Sequence, residues 1–410
     1  MLVSLFLVFF GAIAATANPA RRDKSPISIP FTRKFNATGG ATLKQMDRAR
    51  IAHFKAGCGS GTACDIKTAA STLFDVDATN GAVQYTASVG VGDPATDYTL
   101  IIDTGSSNTW VGAGQSYVVT STSEDTGESV SVTYGSGYFE GEEYLDTVTL
   151  ASGYAITQQS IGVASYAEGF SGVDGILGLG PEDLTCGTLS DENECIATVT
   201  QNAYSQGLID VEEIGVSFEP TTSDSDTNGV ITFGGVDSSL YTGDITYIDI
   251  TSSSPASEYV GIDQSIQYGS ETIMSSAAGI ADTGTTLIYL PSSAYNKYVD
   301  YTGATYDDNT GLLKISSSDY DSLDSVYFVI GGTSFEFTAN AQIWPRSLNT
   351  YIGGDSDSIY LVINDMGDDA EEGLEFIDGM TFLERFYFVY NSGSSTVGFA
   401  TTDYTDATTN

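Results

Sequence analysis

Two aspartates of this chain stand in the same local sequence. Asp103-Thr104-Gly105-Ser106 follows the apolar pair Ile101-Ile102, and Asp282-Thr283-Gly284-Thr285 follows Ile280-Ala281. A carboxylate at the end of an apolar strand is costly unless it is hydrogen-bonded or has a chemical task. Two such sites in one chain predict a pair of carboxylates, which can divide the roles of general acid and general base between them.

The elements that must position this pair are short strands. The body of the chain alternates apolar and polar residues in short runs separated by Gly, Ser, Asp and Thr, and the chain contains 45 glycines and 25 tyrosines, so it is predicted to be mainly β. Clear strand patterns span 85–91, 98–102, 129–134, 229–233 and 326–330. Short helices are predicted at 196–206 and 293–301. Because the motif recurs, we expect two lobes of similar plan, with a boundary near 245–254.

Charge divides the chain into two unequal parts. Ten of the 14 Lys and Arg residues lie between Arg21 and Lys67 beside three aspartates, a net charge of +7, and the remaining four accompany the other 51 acidic residues, a net charge of −47. Such a body would repel nucleic acid. Its acidity fits either an adaptation for solubility or life in acid. At low pH the carboxylates are protonated, and the small number of cationic residues keeps the net charge small. The basic segment is predicted to dock on the body, with a helix over residues 43–55.

The organisation that follows has four parts. Residues 1–17 are apolar and end in a small-residue cleavage pattern, which predicts a signal peptide and a secreted, extracellular protein. Residues 18–70 are predicted to form a separable basic leader, 71–247 an N-terminal lobe and 248–410 a C-terminal lobe. No later stretch predicts a membrane span.

Cysteine and histidine usage narrows the chemistry further. Four cysteines allow three pairings, and the local pairs Cys58–Cys64 and Cys186–Cys195 are favoured because a crossed pairing would tie the basic segment to the body. The only histidine, His53, lies in the basic segment, which removes histidine-based catalysis and metal sites from the body. No metal and no cofactor are expected.

Several motifs together resemble those of pepsin-like aspartic endopeptidases. Besides the two Asp-Thr-Gly segments, Val132–Gly137 resembles the flap hairpin of that family, and Val173–Gly180 and Phe376–Val389 resemble the segments that pack beside the two aspartates. The amino-acid sequence near Asp103, at Val216–Ser223 and at Thr338–Arg346 resembles that of polyporopepsin-type fungal enzymes in particular. The resemblance extends over nearly all of the chain from residue 84 onward. It implies a bilobal acid protease fold with two β-barrel-like lobes and the active site in the cleft between them.

The resemblance also implies a role for each site residue. Asp103 and Asp282 would activate a water that attacks a peptide carbonyl, without a covalent intermediate. Support would come from Thr104, Gly105, Ser106, Thr283, Gly284, Thr285 and Trp110. Substrate would contact Tyr134, Gly135, Ser136, Ile101 and Ile176, which favours bulky hydrophobic residues at the cleavage site. The enzyme would be a monomer acting on proteins and peptides in acid.

The propeptide would act as an intramolecular inhibitor. Arg48, Arg50, Lys55 or Lys67 would hold it over the cleft, and a lysine is expected to pair with the two aspartates, as in related zymogens. Acid would release it and permit self-cleavage near Ser71. The sequon at Asn36 lies in the propeptide, so the mature enzyme is expected to carry no N-glycan.

One departure and two alternatives qualify the resemblance. Asp378 stands where the family has an apolar residue, which either places a carboxylate near the second aspartate or shifts the local register. A catalytically silent relative that binds ligands or inhibits enzymes would have the same fold. An adhesive or carbohydrate-binding secreted protein would share the composition but not the doubled motif.

Overall fold

The computed structural model describes residues 24–35, 42–56, 83–135, 137–367, 370 and 372–410. Five of the expectations above lie outside the described residues. These are the signal peptide at 1–17, the sequon at Asn36, the pair Cys58–Cys64, the cleavage region near Ser71 with Lys67, and the flap residue Ser136.

The molecule is mainly β and bilobal, with short strands throughout. The first twelve strands are β1 Ile27–Phe35, β2 Val83–Val91, β3 Thr96–Asp103, β4 Trp110–Val111, β5 Glu124–Tyr134, β6 Gly137–Ala151, β7 Tyr154–Glu168, β8 Gly175–Gly178, β9 Glu213–Phe218, β10 Ser225–Phe233, β11 Thr242–Asp249 and β12 Gly261–Tyr268. The others are β13 Glu271–Ala281, β14 Ile288–Leu290, β15 Thr305–Asp307, β16 Leu312–Ile315, β17 Val326–Ile330, β18 Thr333–Phe337, β19 Ile359–Leu361, β20 Ile363–Asp365, β21 Phe376–Asp378, β22 Phe386–Asn391 and β23 Thr396–Thr401.

The helices of the described residues are few and short. The α-helices are α1 Leu43–Lys55, α2 Val199–Ser205, α3 Ser292–Thr302, α4 Ser317–Tyr320 and α5 Met380–Leu383, and three 3₁₀ turns span Glu182–Thr185, Ala256–Glu258 and Arg346–Ile352. Helix α1 has the predicted bounds, set by a capping box between Thr42 and Gln45. Helix α2 begins three residues later than predicted because Thr198 caps it through the Gln201 N–H.

The same arrangement of strands carries each aspartate. In the first half β3 runs parallel to β8, and β4 pairs with β8 antiparallel. In the second half β13 runs parallel to β21, and β14 pairs with β21 antiparallel. The repeat seen in the sequence is therefore a repeat of topology, and each aspartate stands at or just after the end of the first strand of its set.

The basic segment is built into the largest sheet. That sheet has 13 strands in the order β11-β23-β22-β9-β10-β1-β2-β3-β8-β4-β7-β6-β5, and β1 lies between β10 and β2 with antiparallel partners on both sides. Arg33 of β1 is buried, donates to the Thr221 carbonyl and lies 4.0 Å from the Glu384 carboxylate. The segment is thus docked by backbone pairing as well as by charge.

The stretch expected to separate the lobes is partly a strand. Residues 242–249 form β11, which pairs with β23 near the end of the chain. Polar and apolar residues alternate in Thr246-Tyr247-Ile248-Asp249, as is typical of an edge strand. This alternation has a stronger effect here than the neighbouring Ser and Thr residues, which favoured a linker. The lobe boundary itself stays a prediction.

Two further features bear on the sequence expectations. Cys186 and Cys195 form a disulfide, with an S–S distance of 1.98 Å. Among the described helices none is long and apolar enough to cross a membrane.

Candidate active site

The two aspartates lie side by side at the ends of their strands, and each is buried. Asp103 accepts from the Gly105 N–H on Oδ1 at 3.0 Å and from the Ser106 hydroxyl on Oδ2 at 2.5 Å. These donors stabilise the ionised carboxylate and fix the plane of its oxygens.

Asp282 has a matching pair of donors. The Gly284 N–H donates to Oδ1 at 3.1 Å and the Thr285 hydroxyl donates to Oδ2 at 2.6 Å. In each loop glycine is required by space. A Cβ on Gly105 would lie 2.7 Å from the Asp282 Oδ1, and one on Gly284 would lie 2.9 Å from the Asp103 Oδ1.

The two loops are tied together by their threonines. The Thr104 N–H donates to the Thr283 Oγ1 at 3.0 Å, and the Thr283 N–H donates to the Thr104 Oγ1 at 3.1 Å. The Thr283 hydroxyl also donates to the Ile102 carbonyl at 3.1 Å. Because all of these groups are buried, the crossed bonds hold the carboxylates at a fixed separation.

A guanidinium from the basic segment occupies the space between the carboxylates. Arg50 Nε donates to the Asp282 Oδ2 at 2.6 Å, and its Nη2 donates to the Asp282 Oδ1 at 2.9 Å and to the Asp103 Oδ1. The expectation of a lysine at this place is therefore wrong. The planar guanidinium explains the difference, since it bonds both oxygens of one carboxylate and still reaches the other.

Helix α1 presents one buried face to the cleft. Its buried residues are Leu43, Asp47, Arg50, Ile51 and Phe54, a spacing of one face of an α-helix. The carboxylate of Asp47, one turn before Arg50, accepts from the N–H groups of Thr286 and Leu287 at 3.1 and 3.0 Å. The Tyr289 hydroxyl donates to the same carboxylate at 3.1 Å. Polar contacts therefore hold this helix on the body in addition to apolar ones.

The flap hairpin β5–β6 closes over the other side of Arg50. A Cβ on Gly135 would collide with the backbone of Arg50, so glycine lets the hairpin lie directly on helix α1. The Trp110 Nε1–H donates to the Tyr134 Oη at 2.9 Å. Phe139 stacks on the Trp110 ring with centroids 4.2 Å apart.

A recess that is partly open to solvent lies beneath the flap. Ile101, Ile176 and Tyr134 line it together with Asp103, which places the expected pocket residues around one space. Phe170 also lines it and was missed from the sequence. Its ring meets Tyr134 edge-on at 5.4 Å, and only its place just before the Val173–Gly180 motif hinted at it.

Burial and the guanidinium set the electrostatics of the site. Burial alone would raise the pKa of Asp282, but the charge of Arg50 and its hydrogen bonds lower it. Burial alone would lower the pKa of Arg50, but the two carboxylates raise it. The guanidinium therefore stays charged at any pH that a protein experiences.

Two neighbours of Arg50 on helix α1 have pKa values that are shifted in opposite directions. Burial raises the pKa of Asp47 to about 6, against the hydrogen bonds from Thr286, Leu287 and Tyr289. Burial, assisted by the charge of Arg50, lowers the pKa of His53 to about 4. Acidification protonates both side chains, but protonation of Asp47 favours the docked helix, whereas protonation of His53 disfavours it.

Asp378 is a buried carboxyl and does not disturb the strand register. β21 pairs in register with β13, Asp378 beside Ala281, and the Asp378 carbonyl accepts the Asp282 N–H at 3.2 Å. Of the two possibilities left open by the sequence, the nearby carboxylate is correct and the register shift is wrong. Burial raises the pKa of Asp378 to about 8, and the Gln264 hydrogen bond lowers it only partly.

Comparison with known proteins agrees with this geometry. Residues 84–402 match the family model described as eukaryotic aspartyl protease. The chain is 60% identical to polyporopepsin of Irpex lacteus over 337 residues, which are 82% of this chain and 99% of that protein. It is 31% identical to pepsin A of Sus scrofa over 335 residues, 77% of this chain and 81% of that one.

A solved structure is similar as well. The crystal structure of aspartic proteinase from Irpex lacteus matches with a TM-score of 0.79 at 52% identity, covering 94% of this chain and all of that chain. The family match, these identities and the paired aspartates lead to one conclusion: the chain belongs to the eukaryotic aspartyl proteases and is a pepsin-like aspartic endopeptidase.

Proposed function

We propose that the protein is a secreted zymogen whose mature form cleaves proteins in acid, with Asp103 and Asp282 as the catalytic pair. The observation that carries this proposal is the shared guanidinium. Arg50 bonds both carboxylates at the point where a water and a peptide carbonyl must lie. A precursor with this contact is inactive because the reacting atoms have no room.

Once helix α1 leaves, the two carboxylates face each other without a cation. Two ionised carboxylates at this separation repel, so the pair retains one proton over an acidic range and titrates as a unit. One carboxylate takes a proton from the bound water as it attacks, and the other donates a proton to the carbonyl oxygen. The Gly105 and Gly284 N–H groups keep both in plane for the exchange.

The recess beneath the flap supports a preference for bulky apolar side chains at the cleavage site. Ile101, Ile176 and Phe170 supply its apolar walls, and Tyr134 covers it. Aromatic and aliphatic walls favour apolar side chains. A monomer is sufficient because one chain carries both aspartates.

The proposed division of the chain into segments follows from the sequence. The apolar residues 1–17 support export, and the proposed propeptide 18–70 precedes the lobes 71–247 and 248–410. Metal and cofactor have no step in this mechanism.

Hydrolysis of a denatured protein between about pH 3 and 5 tests the proposal, in the range where a carboxylate pair shares a proton. The matured enzyme should be active and should be blocked by a statine-type inhibitor. Asp103→Asn and Asp282→Asn should each lose activity by more than about a thousandfold while staying folded. Asp263→Asn, an exposed aspartate on β12, is the matched control. Retained activity in either active-site variant would refute the assignment.

A further inference from the structure

A second polar pair lies buried behind the Asp282 loop. Gln264 of β12 is 1% exposed and Asp378 of β21 is fully buried. The Gln264 Nε2–H donates to the Asp378 Oδ1 at 3.1 Å. The other two oxygens of the pair, Asp378 Oδ2 and Gln264 Oε1, are buried and have no donor among the described residues.

A proton on Asp378 satisfies both oxygens at once. A carboxylic acid donates one O–H and accepts on its other oxygen, and a primary amide does the reverse. The pair can therefore close a reciprocal ring, in which Asp378 Oδ2–H donates to Gln264 Oε1 and Gln264 Nε2–H donates to Asp378 Oδ1. An ionised Asp378 would instead leave two buried acceptors without a donor, which is costly.

The described strands around the pair, β12, β13, β14 and β21, contain no Lys or Arg that would stabilise the ionised form. Asp282, which follows β13, directs its carboxylate to Arg50, and Tyr289 of β14 directs its hydroxyl to Asp47. Asp263 of β12 and Glu271 of β13 are exposed, and Asp263 accepts from Thr251. Glu384, beyond α5, accepts from Tyr85. Burial is accordingly the main cause of the raised pKa of Asp378.

The first half of the molecule shows what this pair replaces. The register of β3 with β8 places Leu177 beside Ile102, as β13 with β21 places Asp378 beside Ala281. The register of β2 with β3 likewise makes Val89 the counterpart of Gln264. Both Leu177 and Val89 are fully buried. One lobe therefore has an apolar pair where the other has a carboxyl and an amide.

We propose that Asp378 is a positioning residue that holds the Asp282 loop only as the neutral acid, paired with Gln264. Its main-chain carbonyl bonds the Asp282 N–H, so a disturbance of this strand is transmitted to the catalytic carboxylate. Ionisation of Asp378 above neutral pH breaks the pair and inactivates the mature enzyme. The inference rests on the proposed catalytic role of Asp282.

The test measures loss of activity after exposure to higher pH. Matured wild type and Asp378→Asn are incubated across about pH 4 to 9, returned to acid and assayed, with each variant normalised to its own activity after incubation in acid. Asparagine keeps the reciprocal ring with Gln264 but does not ionise. The inactivation midpoint should rise by about one pH unit or more, as expected when a titrating group is removed.

Two further variants keep the test decisive. Asp263→Asn makes the same chemical change on the exposed side of β12 and should leave the midpoint unchanged. The double variant Asp378→Leu with Gln264→Val copies the apolar pair of the first lobe and should also raise the midpoint. Infrared difference spectra of wild type against Asp378→Asn should show a protonated carboxyl band at neutral pH.

The outcomes separate this inference from the proposed function. A midpoint unchanged in both Asp378→Asn and the double variant, or no protonated carboxyl band, overturns the pair while hydrolysis in acid persists. Activity that survives in Asp282→Asn overturns the proposed function instead. If Asp378→Asn fails to fold, the inactivation midpoint of the double variant and the infrared difference spectrum of wild type against the double variant decide the question.

Discussion

Arg50 Nε lies 2.6 Å from the Asp282 Oδ2, and the same guanidinium reaches Asp103, so one side chain of helix α1 neutralises both carboxylates of the cleft. This contact gives the most direct prediction. Removing one partner of a buried ion pair costs about 3–5 kcal/mol, which is more than a hundredfold in an equilibrium constant. Arg50→Ala in the precursor should therefore weaken propeptide docking and give activity at a higher pH than the wild-type precursor.

The matched control is Arg48→Ala. This variant removes the same charge from the same helix but leaves the hydrogen bonds to the two carboxylates in place. Arg50→Lys should give intermediate behaviour, because an ammonium cannot make the planar bidentate contact. The pH of half-maximal activation, followed by gel and by hydrolysis of a fluorogenic peptide, measures the order of the three variants. Equal activation pH for Arg50→Ala and Arg48→Ala would contradict the role of the guanidinium.

His53 should act as an acid trigger for release. Its pKa is lowered to about 4 in the docked helix, whereas a free histidine titrates near 6.5, so the released helix binds the proton more tightly. Docking free energy is therefore lost as the pH falls through this window, by about 1.4 kcal/mol for each pH unit crossed. His53→Gln should need a lower pH for activation. A stopped-flow activation profile against pH checks this, and an unshifted profile would exclude His53.

The Trp110–Tyr134 hydrogen bond should position the flap. Tyr134→Phe removes the acceptor for the buried indole N–H, at a cost of about 1–3 kcal/mol, and this should lower kcat/KM for peptides by tenfold or more. Tyr166→Phe on β7, which is partly exposed, is the control. Steady-state kinetics of the matured enzymes distinguish the two, and equal kcat/KM values would show that the hydrogen bond is dispensable.

The crossed threonine bonds should couple the two lobes. Thr104→Val and Thr283→Val each remove a hydroxyl that accepts a buried N–H from the other loop, and each should lower the free energy of unfolding by about 1–3 kcal/mol. In a double-mutant cycle the two losses should be strongly non-additive, because each variant breaks part of one network. Additive losses in chemical denaturation would mean that the loops are held independently.

The doubled motif was enough to identify many residues around the two aspartates, because the groups that contact each carboxylate belong to the same short segment of the chain. Ser106 and Thr285, whose hydroxyls donate to Asp103 and Asp282, lie within the two motifs. The two-lobe β fold followed from the same repeat. These features depend on short segments whose geometry is similar wherever such a motif is built.

What the sequence did not predict depends on helix phase and on packing across the fold. Four cationic residues were candidates to reach the cleft. Arg50 reaches it because this residue lies on the buried face of helix α1. The spacing of Asp47, Arg50 and Phe54 on one face of the helix was a usable signal. The pairing of Asp378 with Gln264 joins residues 114 positions apart. No local pattern indicates such a contact.

Strand β1 has a consequence for folding as well as for inhibition. It lies inside the sheet, so its departure leaves facing rows of backbone N–H and C=O groups on β10 and β2. In the proposed maturation the precursor and the matured enzyme would therefore differ in the hydrogen bonding of this sheet, and the body would first fold around a strand that it later loses. We expect the denatured precursor to refold reversibly and the matured enzyme to be only kinetically stable, with a lifetime set by its rate of unfolding.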